Sequence, residues 1–231
     1  MKRTATASRP NLAKLESVLG YRFTNQDLLR RALTHKSAGA DNNERLEYLG
    51  DAVLGYVIAD MLFARNQFGE DAMTLMRASL VKRDTLAQVA ESLQLGEFLL
   101  LGSGERKSGG HQRRSILADS FEALLGAMHE DGGLLPARQL IEALFEPRLQ
   151  ALDPKAIKDA KTQLQEHLQG VGMALPVYET VGTSGAEHRR RFVVRCRVAD
   201  LQLEVEATGD SRRRAEQAAA QSMLEVIHER A

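Results

Sequence analysis

From Leu12 to Ala151 apolar residues recur at three- and four-residue spacing almost without a break, and Asp153-Pro154 then ends the pattern. That period is the one that puts apolar side chains on one face of a helix. Proline removes a backbone donor and drives the preceding residue out of helical conformation, so a helical region stops there. Beyond it the chain reads differently. A helix from Asp159 to Gly170 precedes Pro176 and three runs in which apolar and polar residues alternate, and a last helix runs from Arg212 to about His228. The expected architecture is multidomain: an all-α domain followed by a small α+β module of order α-β-β-β-α. The boundaries that follow are a flexible tail over 1–10, a helical domain over 11–151, a linker over 152–157 and the α+β module over 158–231.

Within the first domain, Leu12, Leu15, Val18 and Leu19 share a stripe, and Asn25-Gln26-Asp27 opens a helix to Leu33. Met73 to Leu93 reads as one long helical segment with Leu75, Met76, Leu80, Leu86, Val89 and Leu93 inward. A final helix is expected from Pro136 to Leu149. In the second domain a strand from Val177 to Val181 is followed by two others. Phe192, Val194, Cys196 and Val198 share one face of the second, and Leu201, Leu203 and Val205 share one face of the third. Arg195 and Arg197 are expected to pair with Glu204 and Glu206 across neighbouring strands.

Of the 231 residues, 43% are hydrophobic and 27% charged, with 31 basic side chains against 31 acidic ones. No global charge points to a polyanionic partner, so any such signal must be local. The single cysteine, Cys196, excludes an intrachain disulfide and a Cys-based zinc cluster. The polar, basic start has no apolar signal core, and no run is long enough to span a bilayer, so a cytoplasmic protein without membrane attachment is expected.

The acids are less ordinary. Glu44, Glu47 and Asp51 stand at i, i+3 and i+7, within roughly a 60° arc of one helix face. Leu46, Leu49, Val53 and Val57 centre on the other side. Like charges at this spacing repel, and no Lys or Arg lies in their arc. Either the face is simply solvated or a cation compensates it. Asp119 and Glu122 sit at i,i+3 in the otherwise apolar run Ser115–Ala127, where acids cost much unless paired or metal-bound. That second pair favours a metal site. Clustered carboxylates suit Mg²⁺, which takes oxygen ligands and keeps several waters.

Two basic stretches stand out. The Gly-rich segment 101–114 carries Arg106, Lys107, Arg113 and Arg114, is mobile by composition, and lacks the spacing of a phosphate-binding P-loop. Arg212, Arg213 and Arg214 open the last helix, where the dipole disfavours cations; phosphates over that end would reconcile the two.

Glu44-Arg-Leu-Glu-Tyr-Leu-Gly-Asp51 followed by Ser115-Ile-Leu-Ala-Asp119-Ser-Phe-Glu122-Ala resembles the paired signature of the bacterial ribonuclease III family. The second domain resembles a double-stranded-RNA-binding domain through Lys161-Thr-Gln-Leu-Gln165-Glu166, Ala186-Glu187-His188 and Gly209-Asp-Ser-Arg212-Arg-Arg-Ala-Glu-Gln-Ala-Ala-Ala220. The resemblance implies an endoribonuclease that uses Mg²⁺, with Mn²⁺ able to substitute. It implies a homodimer through the catalytic domain that cuts both strands of double-stranded RNA. Products carry 5′-phosphate and 3′-hydroxyl ends with short 3′ overhangs, and substrates are precursor rRNA and structured mRNA. Matched residue by residue, Glu47, Asp51, Asp119 and Glu122 are the metal-binding set, and Asp51, Glu122 and Glu44 the catalytic one. Glu70 matches a further acid of the catalytic valley only roughly, against the reading of an ordinary solvated acid. Thr162, Gln165 and Glu166 face a minor groove, where 2′-hydroxyls mark RNA. His188 touches a second minor groove, and Arg212, Arg213 and Arg214 meet phosphates.

Two other readings are open to test. A catalytically inactive duplex-RNA-binding protein would lack one of the four acids, and none is missing. A carboxylate-bridged di-iron bundle would need two Glu-x-x-His motifs. The instance here, Glu225-x-x-His228, lies far from the acids.

Overall fold

A computed structural model describes residues 11–152, 159–185 and 190–230. The chain divides into two compact units, the first ending at Pro154 and the second beginning at Lys155. The expected tail over 1–10, the linker beyond residue 152 and His188 lie outside the described residues.

The first unit is helical: α1 (Leu12–Leu19), α2 (Gln26–Ala32), α3 (Glu44–Phe63), α4 (Glu70–Val81), α5 (Arg83–Ser92), α6 (Ser103–Lys107), α7 (Arg114–Gly132) and α8 (Leu134–Gln150). Local chemistry sets several boundaries. Asn11 and Asn25 accept from the backbone N–H groups of Lys14 and Asp27, capping α1 and α2 at donors the helices leave open. Asp131, near the end of α7, accepts from the Tyr21 hydroxyl and from the N–H groups of Thr24 and Asn25. One carboxylate thereby ties the α1–α2 connection to α7.

The organising element is α7. It packs against α2, α3, α5 and α8, and Ile116, Leu117, Ala118, Phe121 and every residue from Ala123 to Met128 are buried. A helix apolar on nearly all sides belongs inside its unit. Phe121 meets Phe145 of α8 with ring centroids 6.3 Å apart, and truncating such a side chain costs about 3–5 kcal/mol.

The structure departs from the periodicity in four places. Met73–Leu93 is two helices, because Lys82 adopts extended backbone with ψ 147. The Thr85 hydroxyl donates to the Ser79 carbonyl, satisfying an acceptor that the end of α4 leaves open. Segment 101–114 is not a featureless loop; it holds α6 and a 3-10 turn over Gly110–Gln112. The last helix of the unit starts at Leu134 rather than Pro136, which places Pro136 in its first turn, where a missing N–H costs nothing. Leu49 and Leu75 are only half-buried, and Val18 is 46% exposed rather than inward with Leu15 and Leu19.

The second unit consists of α9 (Ala160–Gly170), β1 (Val177–Ser184), β2 (Arg191–Val198), β3 (Leu203–Gly209) and α10 (Arg212–Arg230). Its sheet is antiparallel with order β1-β2-β3. Leu164, Leu168, Val194, Cys196, Val198, Leu203, Ala215, Ala219, Ala220, Met223, Leu224 and Ile227 form the core. The α+β expectation is therefore met, with local differences. β1 continues to Ser184 past an irregularity between Thr180 and Gly182. Leu201 lies in a 3-10 turn that Gln202 closes at φ 51, so β3 begins at Leu203. Ala218 and Val226 of α10 are half-buried, and Met223 and Ile227 fill the core instead. Arg195 stands opposite Glu206 and pairs with it at 2.7 Å, and Arg197 stands opposite Glu204 at 3.4 Å.

Candidate metal centre and nucleic-acid interface

The site begins with two glycines. A Cβ at Gly50 of α3 would fall on the Glu122 carbonyl of α7, and one at Gly126 of α7 would fall on the Leu46 carbonyl of α3. The helices therefore touch backbone to backbone. Glycine inside a helix costs about 1 kcal/mol relative to Ala, so a pair at one crossing points to a packing need. The contact brings Glu47 beside Asp119 and Glu122, each offering a carboxylate oxygen within 4.8 Å of the others.

None of the three forms an ion pair with a described residue. All are half-buried, and the protein holds each carboxyl above its ordinary range. Burial is the main cause for Glu47, reinforced by Asp119 and Glu44. Burial also raises Asp119, against Arg83, Lys36 and His35. Glu122 is pushed up to about 8 by burial, then by Asp51, Glu47 and Asp119, with Arg83 opposing. Glu44 and Glu47 lie in the first turn of α3, where the helix dipole accepts anions. Asp119 and Glu122 lie mid-helix, where no such compensation exists. An oxygen-only donor set in which burial raises every carboxyl, joined at Glu47 and Glu122 by neighbouring acids, fits a hard divalent cation.

Asp51 is exposed, one turn beyond Glu47, and outside the three-residue group, although its charge reaches Glu122. Glu44 is also outside the group and pairs with Lys36 at 3.1 Å. Glu70 is not in it either. It opens α4 and lines a groove with Tyr56, Phe63, Met73 and Arg77. Three neighbours were not anticipated. Arg83 is remote in sequence from both acidic pairs, and Lys36 and His35, in the turn before α3, are remote from Asp119; the fold brings all three near it. Gly50 and Gly126 did carry a sequence signal, as glycines inside helical periodicity.

On α9, Gln165 and Glu166 are exposed opposite the buried Leu164 and Leu168. Thr162 is half-buried, and its N–H donates to the capping Asp159 at 2.9 Å. The arginine triplet is less uniformly free than its sequence implies. Arg212 binds Glu216 at 2.9 Å, and Glu216 also holds Lys161 of α9 at 2.7 Å. Arg214 pairs with Asp210. Arg213 is exposed and forms no ion pair with a described acid. In segment 101–114, Arg113 binds Glu105 at 2.7 Å and Arg114 binds Asp84 at 3.0 Å.

No helix among the described residues is long and apolar enough to cross a membrane. The family model described as Ribonuclease-III-like matches residues 25–149, and the one described as Double-stranded RNA binding motif matches residues 160–227. A protein named Ribonuclease 3 from Cupriavidus pinatubonensis is 50% identical over 219 residues, covering 94% of this chain and 86% of that one. The Ribonuclease 3 of Bordetella avium is 51% identical over 218 residues, covering 94% and 87%. Among solved structures, the nuclease domain of ribonuclease III from Campylobacter jejuni is 42% identical with a TM-score of 0.58. It covers 59% of this chain and 97% of its own. That nuclease domain shows structural flexibility in a region involved in dimer formation.

Proposed function

Because the chain belongs to the ribonuclease III family, we propose that it is a Mg²⁺-dependent endoribonuclease that hydrolyses both strands of double-stranded RNA. It leaves 5′-phosphate and 3′-hydroxyl ends with short 3′ overhangs, acts on precursor rRNA and structured mRNA, and works in the cytoplasm. The observation that carries this reading is the group of Glu47, Asp119 and Glu122 across the α3–α7 crossing, none of them in an ion pair with a described residue. These three, with Asp51, would hold Mg²⁺, and Mn²⁺ would substitute. When bound, the ion supplies a more acidic water and balances charge on the phosphoryl oxygens. Asp51 and Glu122 orient the attacking water. Glu122 retains its proton at neutral pH in the metal-free protein and gives it up as the site fills.

The second unit selects duplex RNA. Thr162, Gln165 and Glu166 face one minor groove and His188 a second, a recognition that reads shape and 2′-hydroxyls rather than sequence. Arg212, Arg213 and Arg214 meet phosphates between them. Dimerisation through the helical unit is supported by Tyr48, Tyr56 and Phe63, apolar side chains 83%, 54% and 70% exposed along α3.

The direct test is incubation of the full chain with a long duplex RNA, with and without Mg²⁺, followed by mapping of the product ends. Staggered cuts with 5′-phosphates only when Mg²⁺ is present support the reading. Metal-independent cutting, or cutting of single strands alone, contradicts it.

A further inference from the structure

Lys36 sits at the apex of the turn joining α2 to α3, and that turn is anchored at several points. The His35 N–H donates to the Leu100 carbonyl at 3.0 Å, and the Leu100 N–H to the Leu33 carbonyl at 2.8 Å. Ser37 Oγ accepts from the Gly102 N–H at 3.0 Å and lies 2.8 Å from His35 Nδ1. Gly102 meets the Ser37 carbonyl so closely that no Cβ would fit. Backbone stapled at this density holds its apex in place. The Lys36 side chain consequently leaves the backbone at a set place, and its ammonium lies at the rim of the acidic group, 3.1 Å from Glu44 Oε1. Glu44 lies one helical turn before Glu47 yet contributes no oxygen to the group of three.

We propose that Lys36 contacts a non-bridging phosphate oxygen beside the bond to be cut, and that Glu44 is a positioning residue holding Lys36 ready rather than a metal ligand. The inference rests on reading the neighbouring group as a site of RNA hydrolysis. A phosphodiester brings a negative charge to a place already crowded with carboxylates, and a cation at the rim offsets that repulsion. An ammonium has three donors, so it can keep Glu44 and bind phosphate together. The pair itself is readily remodelled: its side chains are 63% and 54% exposed, and pairs between exposed charges contribute little. The Glu44 hydrogen bond and charge hold the Lys36 ammonium above its usual range, with Glu47 and Asp119 adding to the effect, so it remains a cation. Arg83 and His35 also face Asp119, so Lys36 is one of three cationic or titratable neighbours there.

The test compares the full-length protein with Lys36→Ala, Lys36→Arg, Glu44→Gln and the Lys36→Ala/Glu44→Gln double variant. It reads KM and kcat on a short duplex RNA, and Mn²⁺ binding to the RNA-free protein by calorimetry. Lys36→Ala should raise KM about 5- to 10-fold, the scale of one charge-assisted phosphate contact in partial exposure, with kcat changing less. Lys36→Arg should restore most of the loss. Glu44→Gln should raise KM less, the double variant should match Lys36→Ala, and Glu44→Gln should bind Mn²⁺ within about twofold of wild type. An unchanged KM in Lys36→Ala, a loss confined to kcat, additive effects in the double variant, or tenfold weaker Mn²⁺ binding by Glu44→Gln would each overturn the inference. Wild-type protein that cuts no duplex overturns the underlying reading; wild-type and Lys36→Ala proteins that cut equally well overturn this inference alone.

Discussion

Gly50 of α3 lies directly against the carbonyl of Glu122 on α7, leaving no space for a side chain between the two backbones. The residue that sets the helix separation thus touches the residue whose carboxyl is most displaced from its ordinary range. Gly50→Ala must push α3 and α7 apart. We expect it to lower stability by about 3 kcal/mol, measured from urea midpoints, and to weaken Mn²⁺ binding in whatever fraction stays folded. Unaltered stability would mean that the crossing is looser than described.

Glu122 also gives the metal-free protein a characteristic pH response. Its carboxyl holds a proton up to about 8 in the folded chain, against an ordinary 4.5 when unfolded. Between those values the folded state binds more protons than the unfolded one, so stability contributed here is full below about 4.5 and is lost as pH rises to about 8. Glu47 and Asp119 shift in the same direction. Urea midpoints measured in chelator should fall from pH 5.5 to pH 8.5, and Glu122→Gln should flatten the fall. Mn²⁺ affinity should rise across the same window, because binding must displace the proton.

Much of this arrangement was legible before any coordinates. The spacing of Glu44, Glu47 and Asp51, and of Asp119 and Glu122, placed carboxylates on two helices, and alternation in β2 and β3 placed Cys196 in a core. What could not be read was closeness. Lys36, Arg83 and His35 approach the acids only because α5 and the turn after α2 flank α7, and periodicity carries no information about such neighbours. The break at Lys82 was hidden for a different reason. No Gly or Pro marks it, and the bond from Thr85 to the Ser79 carbonyl that supports it forms only in the folded chain. The pairing of Arg212 with Glu216 and of Arg214 with Asp210 was equally unreadable as an outcome, although both pairs have the i,i+4 spacing that permits it.

That pairing makes the arginines unequal. Arg213, which forms no ion pair with a described acid, should lose the most on single substitution by Ala. Replacing all three should weaken binding to every duplex and reduce the salt slope of log K by about 2–3, near one per phosphate contact. Binding measured from 50 to 200 mM salt decides this; an unchanged slope would remove the phosphate role.

The exposed side chains along α3 lead to an assembly prediction. A chain lacking residues 155–231 should sediment as a dimer, and Phe63→Glu in that background should shift it toward monomer. A truncated chain that is monomeric at micromolar concentration would contradict dimerisation through the helical unit.

The central claim is that carboxylates from α3 and α7 together hydrolyse duplex RNA with a divalent cation. The most direct measurement compares wild type with Asp51→Asn and Glu122→Gln on one long duplex in Mg²⁺, scoring cleavage and binding side by side. The account predicts that both substitutions abolish cleavage while duplex binding stays within a few-fold of wild type. Turnover retained by either variant in Mg²⁺ would contradict it.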